Sequence, residues 1–271
     1  AIVSNNKIFV KGNDNYIYGT GVLGYFTGHN APGGKGATNN SFISNHIALE
    51  GVYCVEGIII GDESEDTIIE NNVLNLKSDA VVYGIYFELS QKSKAKGNNL
   101  TLDSQAIYGI VGFNSNDNVL LDNTVVANAK AAYGVIFSNG NNIVISGNTI
   151  AANGNGDEIS VPILDSMAPG NAGIYLIANS TNNKINVNVI KSTKGYAIIL
   201  DDSAVDNVVV DNYLESEKGD SNNAISNSEN NNVSDNYNKI AKPEVEDVAV
   251  AYMGTGEFKL TFDKDMDGAV V

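Results

Sequence analysis

The sequence predicts an all-β fold, a right-handed single-stranded parallel β-helix of about nine or ten coils followed by a short C-terminal β segment. Three observations predict it. The string Tyr-Gly-Ile/Val recurs at Tyr83, Tyr108 and Tyr133, 25 residues apart each time. Between its copies lies a second string: β-branched residues, then Asp, Asn or Ser, an Asn, any residue and an aliphatic one, as in Ile68–Leu74, Leu120–Val125 and Val144–Ile150. Asn supplies 40 of the 271 residues, several times its ordinary usage. Short alternating β-branched runs separated by Asn, Gly, Ser and Asp are strands joined by turns. Two or three such strands per repeat describe one coil, stacked about 4.8 Å above the last.

In chain order, the opening Ala1-Ile2-Val3-Ser4-Asn5-Asn6 is already mid-pattern and reads as a piece of a longer protein. Weaker copies of the second string follow at Ile2–Ile8 and Phe42–Ile47, and Glu56-Gly57-Ile58 is an early copy of the first. Thr27–Asn40 and Gly154–Gly170 read as loops that swell their coils, and Leu89–Asn98, with Lys92, Lys94 and Lys96, as a smaller basic insertion. Later copies are Ala172-Gly173-Ile174, Asn186–Ile190, Tyr196-Ala197-Ile198 and Val209–Leu214. Asn6, Asn45, Asn72, Asn123, Asn148, Asn188, Asn212 and Asn236 take one position in successive copies, with Ser104 interrupting the column between Asn72 and Asn123. Asn suits this place because it tolerates left-handed backbone at corners and can bond its amide to the Asn above and below. The column is therefore structural. The Asn-rich texture stops at Asn238, giving a β-helix over 1–238. Residues 239–271 form a linker plus either a cap or the start of an Ig-like domain, with strands at Glu244–Tyr252 and Glu257–Phe262.

Charge removes several classes of function. Sixteen lysines, no Arg and 32 acids leave a net charge of −16. Such a surface does not neutralise phosphates or anionic lipid, so neither nucleic acid nor direct membrane insertion is expected. A single Cys and two His supply neither a disulfide framework nor a zinc cluster.

Few residues suggest chemistry. Asp263, Asp265, Asp267 and Gly268 open like a calcium loop, but that loop needs flanking helices and a Glu at its twelfth position. A strand-connecting turn is the expected reading, so calcium is possible chemistry and no cofactor is predicted. Asp201, Asp202 and Asp206 are the alternative catalytic acids, as paired carboxylates of a polysaccharide hydrolase or lyase. No Arg accompanies them and His29 and His46 lie several coils away, so a turn is preferred and no catalytic residue is expected. Cys54 reads as a small buried hydrophobe.

If Ile58, Ile85, Ile110, Val135, Ile174 and Ile198 point inward, then Ile59, Tyr86, Val111, Ile136, Tyr175 and Ile199 form an outward apolar stripe. Gly57, Gly84, Gly109, Gly134, Gly173 and Ala197 would make a bare trough beside it. Tyr86, Val111, Ile136 and Tyr175 are the binding candidates, with the two tyrosines as stacking surfaces for sugars. The other reading is that a loop or a neighbouring molecule covers the stripe. Asn39, Asn99, Asn179 and Asn232 head N-x-S/T sequons and are glycosylation candidates.

In its Gly-Ile, Asn-Asn and Asn-x-Ile texture, acidity and lack of Arg and Trp, the chain resembles the adhesin-like surface proteins of methanogenic archaea. The tail from Gly256 to Gly268 is similar to the opening strands of the Ig-like repeats that follow such β-helices, with Thr261, Lys264, Asp265 and Gly268 fitting their pattern. The resemblance implies an extracellular, cell-surface-attached module of archaeal type, and brings no catalytic motif. A non-enzymatic role in cell adhesion or envelope structure is the expectation, with a cell-surface protein or a polysaccharide of another cell as partner. The alternatives are a pectin-type hydrolase or lyase and a carbohydrate-binding β-helix.

Overall fold

Each repeat turns three times and lays down three short strands, as in Ile68–Glu70, Val73–Ser78 and Val81–Glu88. The structure, a computed structural model, describes residues 1–12, 16–18, 37–61, 63–156, 171–227, 230–237, 248–252 and 258–262. Equivalent strands of successive coils pair in parallel and build three long sheets. The first is nine strands deep, from Ile2–Ser4 to Asn232–Ser234. The second runs from Lys7–Lys11 to Tyr213–Ser216 and the third from Tyr16–Tyr18 to Ile225–Ser226. This is the right-handed parallel β-helix expected.

Seven coils carry all three regular strands, slightly fewer than expected. The eighth is broken by the antiparallel pair Glu215↔Asp220 and a 3₁₀ turn at Ser221–Ala224, and a ninth opens with Asn232–Ser234. The Asn-rich texture runs on through this stretch although the chain there makes a hairpin, which is why the repeat overstates the coil count.

Contacts divide the chain into Ala1–Asn238 and Lys239–Val271. In the second unit Val248–Tyr252 and Phe258–Phe262 pair antiparallel. The calcium-like segment from Asp263 to Gly268 lies outside the described residues, as do most of the two long loops and His29.

Alternation places the core. Leu74 and Leu76 stack on Leu100 and Leu102, all nearly fully buried, and Ile58, Ile85, Ile110, Val135, Ile174 and Ile198 close the core from the third sheet. The basic segment Leu89–Asn98 is not an insertion. Lys94–Lys96 is a first-sheet strand, in register with Ile68–Glu70 and Val119–Leu121, and Ala95 fills the core position between its outward lysines. A small inward residue flanked by charges hid this strand from the pattern.

The same coil corrects the Asn column. Asn98, not Ser104, stands between Asn72 and Asn123, so the column is unbroken from Asn6 to Asn236. Asn123 shows its chemistry: its backbone N and its Nδ2 both donate to Asn148 Oδ1 at 2.9 Å, and Nδ2 also donates to the Ala95 carbonyl at 3.0 Å. Just before each column Asn the backbone is left-handed, φ running from 54° at Asp122 to 68° at Gly147. Most of these corners carry Asn, Asp, Ser or Gly; Val187, at φ 58°, is the β-branched exception.

Candidate functional site

The outward face of the third sheet gathers the candidate binding residues. The chain bends at the Gly of each Tyr-Gly-Ile string, so two successive residues face inward there. A Cβ on Gly109 would lie 2.3 Å from the Gly134 carbonyl oxygen and 2.6 Å from Val125 Cγ1. The glycines therefore sit inside a tight bend and not in an outward trough, which corrects that expectation.

The bend keeps Tyr83, Tyr108 and Tyr133 on the outside, in one row beside the row of Tyr86, Val111, Ile136 and Tyr175. Tyr83–Tyr108, Tyr108–Tyr133 and Tyr133–Tyr175 stack with ring centroids 5.2, 5.5 and 6.0 Å apart. Tyr175 joins this stack from the neighbouring row because Ala172 stands opposite Tyr133. Tyr86 is half-buried against Tyr83 and Phe113.

The expected apolar stripe faces outward but is not exposed: Val111 is 0% accessible, Ile136 1% and Tyr175 7%. The two rows pack into an apolar cluster separate from the core. Burial holds the hydroxyls of Tyr83, Tyr108 and Tyr133 well above their usual range, and that of Tyr175 is raised by burial and then by Asp201.

Glu56 occupies the tyrosine row one coil before Tyr83, and sequence reasoning passed over it. The signal was in view: Glu56-Gly57-Ile58 puts an acid where later copies carry Tyr. Burial foremost pushes its carboxyl up to about 7; Glu88 adds to the rise, and a hydrogen bond from the Cys54 thiol at 3.9 Å opposes it. The buried Cys54 thiol is itself pushed up to about 12, by burial and then by Glu56.

The acidic cluster does not assemble into an acid–base pair. Asp201 Oδ1 accepts from the backbone N of Ser203 at 2.8 Å and from its hydroxyl at 2.7 Å, closing the turn after the strand Tyr196–Leu200. Asp202 and Asp206 are exposed, and Asp206 holds a left-handed corner at φ 58°. Asn39, Asn99, Asn179 and Asn232 are all exposed. Among the described residues, no group of three or more His, Cys, Asp or Glu converges as a metal site. No helix of the described residues is long and apolar enough to cross a membrane.

With this geometry in hand, comparison with known proteins gives three findings. A family model described as periplasmic copper-binding protein (NosD) matches residues 1–167. No curated protein matches. A crystal structure of a mutant of the periplasmic alginate epimerase AlgG is similar over 70% of this chain and 54% of that one, at 14% identity and a TM-score of 0.39. The chain thus spans about half the length of that epimerase.

Proposed function

Since this chain belongs to the NosD family, we propose that it is a β-helix module working outside the cytoplasm, non-catalytic, presenting its outer faces for attachment. The finer reading is a role at a cell surface, in adhesion or envelope structure, of the kind its likeness to archaeal adhesin-like proteins implies. One observation carries the non-catalytic part. Asp201, the most reactive-looking acid in the sequence, spends its carboxylate on a turn, and its neighbours Asp202 and Asp206 stand exposed. General acid–base chemistry needs groups held within reach of one substrate, and Asp201 is held instead by the Ser203 backbone N–H and hydroxyl.

The family description names copper, so the fit of the residues matters. Copper is taken by thiolate, thioether and imidazole ligands. Among the described residues the thiol is Cys54, buried and held protonated on the third sheet. The imidazole is His46, on the second sheet, its Nε2 3.2 Å from Asn75 Nδ2. Cys54 and His46 do not fit a copper site; His29 and the three methionines lie outside the described residues.

The test incubates the whole chain with a panel of cell-wall and plant polysaccharides, reading both new chain ends and protein co-sedimented with polymer. The expected result is retention without cleavage. Cleavage that disappears in Asp202→Asn overturns the proposal and makes the acidic cluster an active site.

A further inference from the structure

We propose that the exposed outer face of the second sheet carries a trough, parallel to the coil axis, for an uncharged linear glycan. The inference rests on the attachment reading above and names its ligand class. It moves recognition from the tyrosine face, which is buried, to a face that is open.

One outward column defines the trough. Lys11, Glu50, Lys77, Asp103, Asn128 and Asn153 stand in register in six consecutive coils. At the spacing of paired strands they span about 24 Å. Two concavities follow this column and meet at Asp103, one of about 470 Å³ over the early coils and one of about 560 Å³ over the later ones. Both are shallow and open to solvent along the sheet face. The first has Phe9 as an apolar platform, 65% exposed and set edge-on to His46 at 5.5 Å, with Ala48, Asn75 and Thr101 in the adjoining column. The second is walled by Gln105, Lys130, Asn155 and Thr193. It also borders Ser104, whose buried hydroxyl has no hydrogen-bond partner among the described residues.

The chemistry of these walls selects the ligand. Amides and hydroxyls that both donate and accept match vicinal hydroxyls, and an exposed aromatic ring takes the apolar face of a sugar. Asn153 Nδ2 donates to Asn128 Oδ1 at 2.8 Å, which fixes the two amides as a pair. The column is charge-balanced, two lysines against two acids, with Lys11 bonded to Glu50 at 2.8 Å. The wall adds Lys130, which leaves a single surplus cation in the trough, and a polyanion must approach it against the repulsion of a chain charged −16. A polycation finds no surplus of acid here. An uncharged polyol meets neither obstacle. The repeat fits as well, because one set of lining groups recurs per coil at a distance comparable to one hexose ring.

The test is affinity electrophoresis of the full chain in gels holding an uncharged glycan (dextran, mannan or laminarin) or a polyanionic one (polygalacturonate or alginate). At least one uncharged glycan should retard the chain, and the polyanions should not. Thr101→Arg, which fills the trough, and Asn128→Ala should each weaken retardation at least fivefold, while Lys184→Ala on the first sheet leaves it unchanged. Thermal unfolding of each variant checks that it folds. Retardation by polyanions alone, by no uncharged glycan, or undiminished in both trough variants overturns the trough. Of these outcomes, glycan binding that ignores the trough variants leaves the attachment reading standing, whereas cleavage of polymer defeats that reading instead.

Discussion

At the scale of single residues, two buried polar groups behave in opposite ways. The column asparagines from Asn45 to Asn212 each take bonds from the column Asn before and give bonds to the column Asn after. Glu56 is the misfit, a carboxyl in a row of tyrosines with a thiol as its partner. Its folded pKa of about 7 lies above the ordinary 4.5, so the folded state holds this proton over a pH range where the unfolded chain has lost it. The stability linked to Glu56 is therefore complete below pH about 4.5 and lost as pH rises through about 7. A shift of that size corresponds to about 3 kcal/mol at full effect. Urea unfolding at pH 5 and pH 8 should show wild type losing more stability across this interval than Glu56→Gln, which keeps the shape and removes the charge. Equal losses in the two proteins would show that Glu56 ionises freely in the fold. The Asn column was legible in the sequence because its residues recur at a fixed offset from β-branched runs. Asn98 was missed because Lys94 and Lys96 replace the usual flanks. The environment of Glu56 was not legible, since it depends on how deeply the neighbouring row of rings packs.

Among the elements, strands were legible and their surroundings were not. Period-two alternation correctly separated Ile85 and Ile110, which face the core, from Tyr86 and Val111, which face out. It failed at the Tyr-Gly step, where a bend turns two residues inward in succession and pushes the tyrosine outward. Facing also says nothing of cover: the sequence leaves open whether Val111 and Ile136 are exposed or covered, and they are buried in the tyrosine cluster. The bend makes a sharp demand on glycine. Gly109→Ala would drive a methyl against the Gly134 carbonyl, which is held by the sheet, and against Val125 in the core. Overpacking of this kind costs about 1–3 kcal/mol. Thermal unfolding should show a clear loss for Gly109→Ala and a much smaller one for Thr124→Ala, on the outward face of the second sheet one coil later. A Gly109→Ala protein as stable as wild type would mean that the strand relaxes outward and that the bend is not set by glycine.

For the β-helix unit as a whole, stability is distributed from coil to coil, because each coil meets only its neighbours. The two ends differ. In the first coil Ile2–Ser4, Lys7–Lys11 and Tyr16–Tyr18 each pair with one strand among the described residues, and Ile2, Phe9 and Val10 are 76%, 65% and 45% exposed. Val3 and Ile8 there are only partly buried against the core. At the other end the chain changes direction: Gly219–Asp220 runs antiparallel to Tyr213–Ser216, and Asn236 turns its amide to Asn222. In the middle, strands such as Ala106–Phe113 have partners on both sides and almost no accessible surface. Segments with few buried apolar contacts and solvent-facing hydrogen bonds open at low free energy. Amide hydrogen exchange should therefore be graded along the coils, fastest in Lys7–Lys11 and slower by roughly 100-fold or more in Ala106–Phe113. Charge adds to the gradient only weakly, because the ion pairs Lys11–Glu50 and Lys191–Glu215 are both solvent-exposed and such pairs stabilise little. Uniform protection from the first coil to the eighth would instead mean that the Asn column and the continuous core couple all coils into one cooperative unit. In that case the first coil, despite its exposed side chains, would unfold only with the rest.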